Sequence, residues 1–79
     1  MFIKTKNKII VGTDDLISTR EVFTEEQVIK YQEEIRSGGL KYPITVQIIQ
    51  FLGYLVKDGN HRLEAVKREG LRKIEAEVF

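Results

Sequence analysis

The residues best suited to chemistry in this sequence fall in one short run, Lys57-Asp58-Gly59-Asn60-His61-Arg62-Leu63-Glu64-Ala65. A β-rich stretch precedes the run and a helix-like stretch follows it, which predicts a strand–turn–helix passage. A helix start leaves four backbone N–H groups unpaired and carries the positive end of the helix dipole, so it suits an anion. Gly59 has no side chain to hold a ligand away from the backbone. The planar guanidinium of Arg62 can grip two phosphate oxygens at once. His61, the only histidine in the chain, adds a further donor. Asp58 could hold a Mg²⁺ that arrives with the phosphates, orient His61, or receive the Arg62 guanidinium. Together these residue types point to phosphate binding. A plainer reading stays open beside it: Asp-Gly-Asn is a common turn, and Arg62 could pair with Glu64 or Glu69.

The elements that must position this run can be read from periodicity. Lys8-Ile9-Ile10-Val11 predicts a short strand closed by Gly12. Residues 14–22 lack sustained periodicity and predict an ordered loop, with one helical turn near Leu16 and Ile17. Thr24-Glu25-Glu26-Gln27 has the pattern of a capping box, and Phe23 and Val28 stand at hydrophobic-staple spacing. Val28, Tyr31 and Ile35 then form one apolar helical stripe flanked by Ile29, ended by Ser37-Gly38-Gly39. Pro43 opens a strand, Ile44-Thr45-Val46-Gln47-Ile48-Ile49-Gln50, whose Ile44, Val46 and Ile48 share one face. Phe51-Leu52-Gly53 predicts a turn and Tyr54-Leu55-Val56-Lys57-Asp58 a returning strand, the pair forming a hairpin. Asn60 suits the N-cap of a second helix that runs to about Glu69 and stops at Gly70. In it Leu63 and Val66 face inward, and Ala65 allows close packing. Ile74-Glu75-Ala76-Glu77-Val78 alternates as a final strand. The order β-α-β-β-α-β, with two helices on a small mixed sheet, is an α+β fold in a single domain over residues 1–79.

Composition narrows the function classes. Hydrophobic residues make up 42% and charged residues 32% of the 79, the balance of a soluble globular chain. A chain this short buries only about 60% of its unfolded surface, so its core is small. No cysteine is present, which removes disulfides, thiolate metal sites and thiol catalysis. No apolar run approaches the roughly 18 residues that cross a bilayer, and Met1-Phe2-Ile3-Lys4-Thr5-Lys6 is too short and polar for a secretory signal. A cytoplasmic location is expected. The formal net charge of +1 gives no global attraction to nucleic acid. Arg62, Lys67, Arg68, Arg72 and Lys73 do cluster late in the chain, opposite an earlier group of Glu21, Glu25, Glu26, Glu33 and Glu34. Two solvated helix faces explain this better than a binding patch does.

Two passages resemble the N-terminal domain of the ParB family and its sulfiredoxin-like relatives. Gly39-Leu40-Lys41-Tyr42-Pro43-Ile44-Thr45-Val46 is similar to the family's helix-to-strand passage. Residues 54–70, Tyr54 through Asp58-Gly59-Asn60-His61-Arg62-Leu63-Glu64-Ala65 to Gly70, are similar to its strand–turn–helix segment. The resemblance covers nearly the whole chain, with little of it in the first 20 residues, and implies the ParB/sulfiredoxin fold. In ParB proteins the equivalent loop, often Gly-Glu-Arg-Arg, holds the phosphates of CTP; in sulfiredoxins Gly-Cys-His-Arg holds those of ATP. Carried over by position, this nominates Gly59, Asn60, His61 and Arg62 as phosphate binders. The turn here is closer to the sulfiredoxin-like and free-serine-kinase-like versions than to Gly-Glu-Arg-Arg. CTP, ATP or ADP, with or without Mg²⁺ at Asp58, are thus the cofactors implied. Asn60 stands where sulfiredoxins carry their catalytic cysteine, which excludes sulfinic-acid reduction.

The resemblance supports two readings of different class. One is a nucleotide-binding module that controls contact with itself or with DNA. Related domains associate, so a homodimer is expected. Sequence-specific DNA binding would need a helix-turn-helix reader that these 79 residues lack. Non-specific backbone contact through Arg68, Arg72 and Lys73 would be salt-dependent. The other reading is a phosphotransferase acting on a small hydroxyl substrate, like the free serine kinases with their Asp-Gly-His-His-Arg turn. Glu21 would then be the base, since those relatives place a glutamate in the loop before the first helix. The plainer reading of Glu21, and the favoured one, is a solvated loop carboxylate. A ParB-like nuclease ranks below both, for want of clustered carboxylates to hold two metals. Phe23 and Tyr31 fit as staple and helix stripe; Phe51 and Tyr54, beside the hairpin turn, are the remaining candidates for base stacking.

Overall fold

The alternation of Lys8-Ile9-Ile10-Val11-Gly12 produces strand β1 (Lys8–Gly12), which turns Val11 into the core and leaves Ile10 exposed. The structure, a computed structural model, describes residues 8–20 and 22–78. A 3₁₀ turn over Thr13–Asp15 follows, then a two-residue strand β2 (Leu16–Ile17). The helical turn therefore lies upstream of Leu16 and Ile17, which instead run parallel to Tyr54 and Leu55. Two physical causes favour this. Leu16 is buried in this arrangement, and Gly53 opens the space beside it. A Cβ on Gly53 would lie 2.5 Å from the carbonyl oxygen of Asp15.

Helix α1 (Glu25–Arg36) begins as the stripe requires, with Val28 fully buried and Ile35 packed against the core. Thr24 occupies the cap position, and its carbonyl accepts from the N–H groups of Gln27 (3.0 Å) and Val28 (3.1 Å). The reciprocal capping box does not form, because the Thr24 side chain makes no cap bond. The Thr24 N–H, which Gln27 would have satisfied, donates instead to His61 Nε2 at 3.1 Å. Gly38 and Gly39 take positive φ values (138° and 123°) and end the helix.

Strands β3 (Ile44–Ile49) and β4 (Gly53–Asp58) form the antiparallel hairpin, with a bulge between Thr45 and Val46. Helix α2 (Asn60–Arg68) follows after a single residue, and β5 (Lys73–Val78) returns parallel to β3 and antiparallel to β1. The five-stranded mixed sheet has the order β1-β5-β3-β4-β2. Its buried side chains Val11, Ile44, Val46, Val56, Ile74 and Ala76 pack with Leu63 and Val66 of α2 into one cluster. No helix among the described residues is long and apolar enough to cross a membrane. The α+β class holds, with β2 as an added strand.

Candidate functional site

The passage from β4 to α2 is as short as a chain can make it. Gly59 alone links them, in the left-handed conformation (φ 107°, ψ 23°) that glycine reaches without a Cβ penalty. A Cβ here would meet Ile44 at 2.5 Å from Cγ2 and 2.8 Å from Cβ. Gly59 is thus required by the buried Ile44 behind it as well as by the backbone. Gly59 itself takes the cap position, and Asn60 is the first helical residue rather than the N-cap. The first intrahelical bond runs from Leu63 N–H to the Gly59 carbonyl at 2.9 Å. The N–H groups of Asn60, His61 and Arg62 are those that a helix start leaves without a helical partner.

Arg62 is held in place on several sides. Its Nη1 donates to the Pro43 carbonyl at 2.9 Å, and its guanidinium carbon lies 5.5 Å from the centre of the Tyr31 ring. Its Nη2 is 3.9 Å from Asp58 Oδ2, an ion pair too long for a hydrogen bond. The side chain is 16% exposed. The alternative partners are engaged elsewhere: Glu64 accepts from Arg68, and Glu69 accepts from Arg36 and Gln32. The Arg62 fork is therefore preorganised while part of its donor edge stays available.

His61 and Asn60 have different commitments. Nε2 of His61 accepts from Thr24 N–H, so the neutral ring carries its proton on Nδ1. The ring also meets Phe23 edge-on at 5.7 Å. The Asn60 Oδ1 lies 2.9 Å from the Ser18 hydroxyl and accepts from Thr19 N–H at 3.0 Å; its Nδ2 donates to Thr19 Oγ1 at 2.9 Å. Both side chains tie the segment before α1 to the turn. What Asn60 offers a ligand is its backbone N–H.

A cavity of about 210 Å³ opens over the turn, walled by residues 57–62 with Arg20, Gln27 and Tyr31. Arg20 carries no motif that marks it in the sequence, and Gln27 is marked there only as a capping residue and Lys57 only as the start of the run before the turn. Arg20 lines the cavity from a segment whose residues 18 and 19 bond to Asn60 of α2 and to Val56 of β4, a contact between distant parts of the chain. Tyr31, read as part of the helix stripe, also serves as the platform under Arg62. A larger depression of about 350 Å³ lies elsewhere, between the α1–β3 loop and β5, and contains none of the turn residues. The smaller one is where the start of α2 and the clamped Arg62 guanidinium meet.

Among the described residues, no three His, Asp or Glu side chains gather as a metal cage. A cation at Asp58 would thus take most of its ligands from phosphate oxygens and water. Glu21 lies outside the described residues. Arg68 is engaged by Glu25 (2.6 and 2.8 Å) and Glu64 (3.0 Å), and these carboxylates push its pKa up. Arg72 and Lys73 are exposed. Phe51 stands 97% exposed at the hairpin tip and Tyr54 packs against the core, so neither walls the cavity.

A family model described as the ParB N-terminal domain matches residues 4–79. Among solved structures, the sulfiredoxin from Arabidopsis thaliana superimposes with a TM-score of 0.81 at 22% identity, over 92% of this chain and 84% of that one. The C-terminally truncated chromosome-partitioning protein ParB from Caulobacter crescentus, complexed with CTP-γ-S, gives a TM-score of 0.77 at 24% identity. That match covers 92% of this chain and 44% of ParB. A free serine kinase in complex with AMP gives 0.83 at 17% identity, over 96% of this chain and 32% of the kinase. The chain thus spans less than half of the last two, and the likeness to all three is one of fold. No curated protein matches the chain by sequence.

Proposed function

Because the chain belongs to the ParB N-terminal domain family, we propose that it is a nucleotide-binding module holding the phosphates over residues 59–62. The observation that carries this reading is the preorganised Arg62 fork at the start of α2. It is clamped by the Pro43 carbonyl and the Tyr31 ring and faces a cavity that also draws on Lys57 and Arg20. Phosphate oxygens accept from the backbone N–H groups of residues 60–62, the helix dipole favours their charge, and Arg62 grips two of them. His61 can add its Nδ1 proton. The long pair between Arg62 and Asp58 yields readily to a stronger acceptor, leaving Asp58 to meet a Mg²⁺ carried by the phosphates. A cavity of about 210 Å³ is smaller than the roughly 300–1,000 Å³ of whole-ligand pockets. It suits the phosphate chain, with the base at its rim. The nucleotides held by ParB (CTP-γ-S) and by the free serine kinase (AMP) support the same reading on this fold.

The test is calorimetric titration with CTP, ATP and ADP, with and without Mg²⁺, on the native chain and on Arg62→Ala. Loss of one charge-assisted phosphate contact should cost about 1.5–3 kcal/mol of affinity. An unchanged dissociation constant in the variant would remove the site.

The fold likeness to a free serine kinase favours a second reading, phosphoryl transfer to a small hydroxyl substrate. It needs a base near the acceptor, for which Glu21 is the candidate. Turnover separates the readings. A binding module leaves the nucleotide intact or hydrolyses it slowly. A kinase consumes ATP or ADP and loses product formation on Glu21→Gln.

A further inference from the structure

The side chain of Asn60 makes its hydrogen bonds to residues 18 and 19, far away in the sequence. Oδ1 takes the Thr19 N–H at 3.0 Å and lies 2.9 Å from Ser18 Oγ, while Nδ2 donates to Thr19 Oγ1 at 2.9 Å. The Thr19 hydroxyl donates in turn to the Val56 carbonyl of β4 at 3.0 Å. The Ser18 hydroxyl, which has one proton, lies 2.9 Å from the Arg20 carbonyl and accepts from Arg20 N–H at 3.3 Å. A continuous chain of hydrogen bonds therefore runs from the first residue of α2 to the backbone of Arg20. Arg20 makes no ion pair among the described residues and shares the cavity with Arg62. The two arginines differ in how they are fixed. Arg62 has its own clamp, whereas among the described residues Arg20 is bonded only through its backbone.

We propose that Asn60 is a positioning residue that sets Arg20 as a second phosphate-binding cation, so that the contribution of Arg20 to affinity depends on the Asn60 side chain. This rests on the phosphate-site reading above. The side chain at position 60 thus serves the ligand indirectly, and Arg20 joins Arg62 in lining one small cavity. Two guanidinium forks suit a chain of several phosphates better than a single phosphate, since each fork takes two oxygens. The coupling follows from thermodynamics: if Asn60 biases where Arg20 sits, removing either residue removes the same increment of binding.

Inorganic triphosphate is the probe, because it has no base and reads the phosphate contacts alone. It is titrated into the native chain and the variants Arg20→Ala, Asn60→Ala, their double variant and Arg62→Ala. Arg20→Ala and Asn60→Ala should each weaken binding by roughly fivefold to tenfold, between an exposed ion pair and a charge-assisted bond. The double variant should be no weaker than the worse single. Ser18→Ala cuts the same chain from the loop side without touching α2, and should reproduce Asn60→Ala if that variant folds poorly. If the losses multiply in the double variant, or if Arg20→Ala binds as the native chain does while Arg62→Ala is weakened, the proposal is overturned and the phosphate site stands. If Arg62→Ala also binds unchanged, the phosphate-site reading has failed and the proposal falls with it.

Discussion

At the residue scale, Gly59 carries two demands at once. Its φ of 107° is costly for any residue with a side chain, and the direction of a Cβ leads straight to the fully buried Ile44. The left-handed backbone costs about 1–2 kcal/mol for a residue other than glycine, and forcing a methyl group into a packed core about 1–3 kcal/mol. Gly59→Ala should therefore destabilise the chain by about 2–5 kcal/mol, read as a lower midpoint in urea denaturation with the slope unchanged. A loss below about 0.5 kcal/mol would mean that Ile44 moves aside without cost. The importance of this glycine is legible in the sequence from the turn around it. Its main cause is not, because Ile44 lies fifteen positions earlier and meets Gly59 only once the sheet has formed. Asn60 and His61 show the same limit. Their types suit a ligand, yet most of their polar atoms are taken by Ser18, Thr19 and Thr24.

At the scale of elements, two ionic clasps join α1 to α2. Arg36 donates twice to Glu69, at 2.7 and 2.9 Å, and Gln32 donates to the same carboxylate at 2.9 Å. Arg68 joins Glu25 to Glu64 at the other end of α1. The Arg36 hydrogen bonds, then that of Gln32, hold the Glu69 carboxyl below the usual carboxylate range, and Arg68 does the same for Glu25. A carboxylate with a depressed pKa in the folded state binds fewer protons folded than unfolded. Its contribution is thus complete above the ordinary carboxylate pKa of about 4.3 and is lost as pH falls through the folded value. Melting temperature should fall steeply below that range in the native chain. Glu69→Gln should melt lower at neutral pH and show a shallower acid decline, because it removes one of the two groups responsible. Parallel acid limbs in native chain and variant would show that Glu69 is not linked to folding. Helix limits and the hairpin were readable from apolar periodicity and glycine punctuation. These clasps were not, since each depends on how two helices cross. Strand β2 was hidden for a related reason: two residues carry no period, and its strand character comes from pairing with β4.

At the scale of the whole molecule, the sheet order β1-β5-β3-β4-β2 joins the two ends of the described chain and places the turn after β4 beside the segment that follows β2. Apolar alternation marks each longer strand but contains nothing about neighbours, so beyond the hairpin the strand order was not legible in it. The consequence is that the cavity is walled by segments distant in sequence, residues 57–62 together with Arg20, Gln27 and Tyr31. Unfolding separates these walls, and a ligand held between them binds the folded chain alone. By mass action such a ligand at one hundred times its dissociation constant adds about 2.7 kcal/mol to stability. That is a large fraction of the roughly 5–15 kcal/mol typical of a native domain. The best-binding nucleotide of CTP, ATP and ADP should therefore raise the urea midpoint of the native chain by the amount its calorimetric affinity dictates. At the same free concentration, Arg62→Ala should show a smaller rise, reduced as the logarithm of its weaker affinity. A nucleotide that binds by calorimetry yet leaves the midpoint where it was would have to bind the unfolded chain equally well, and the walled cavity could not be its site.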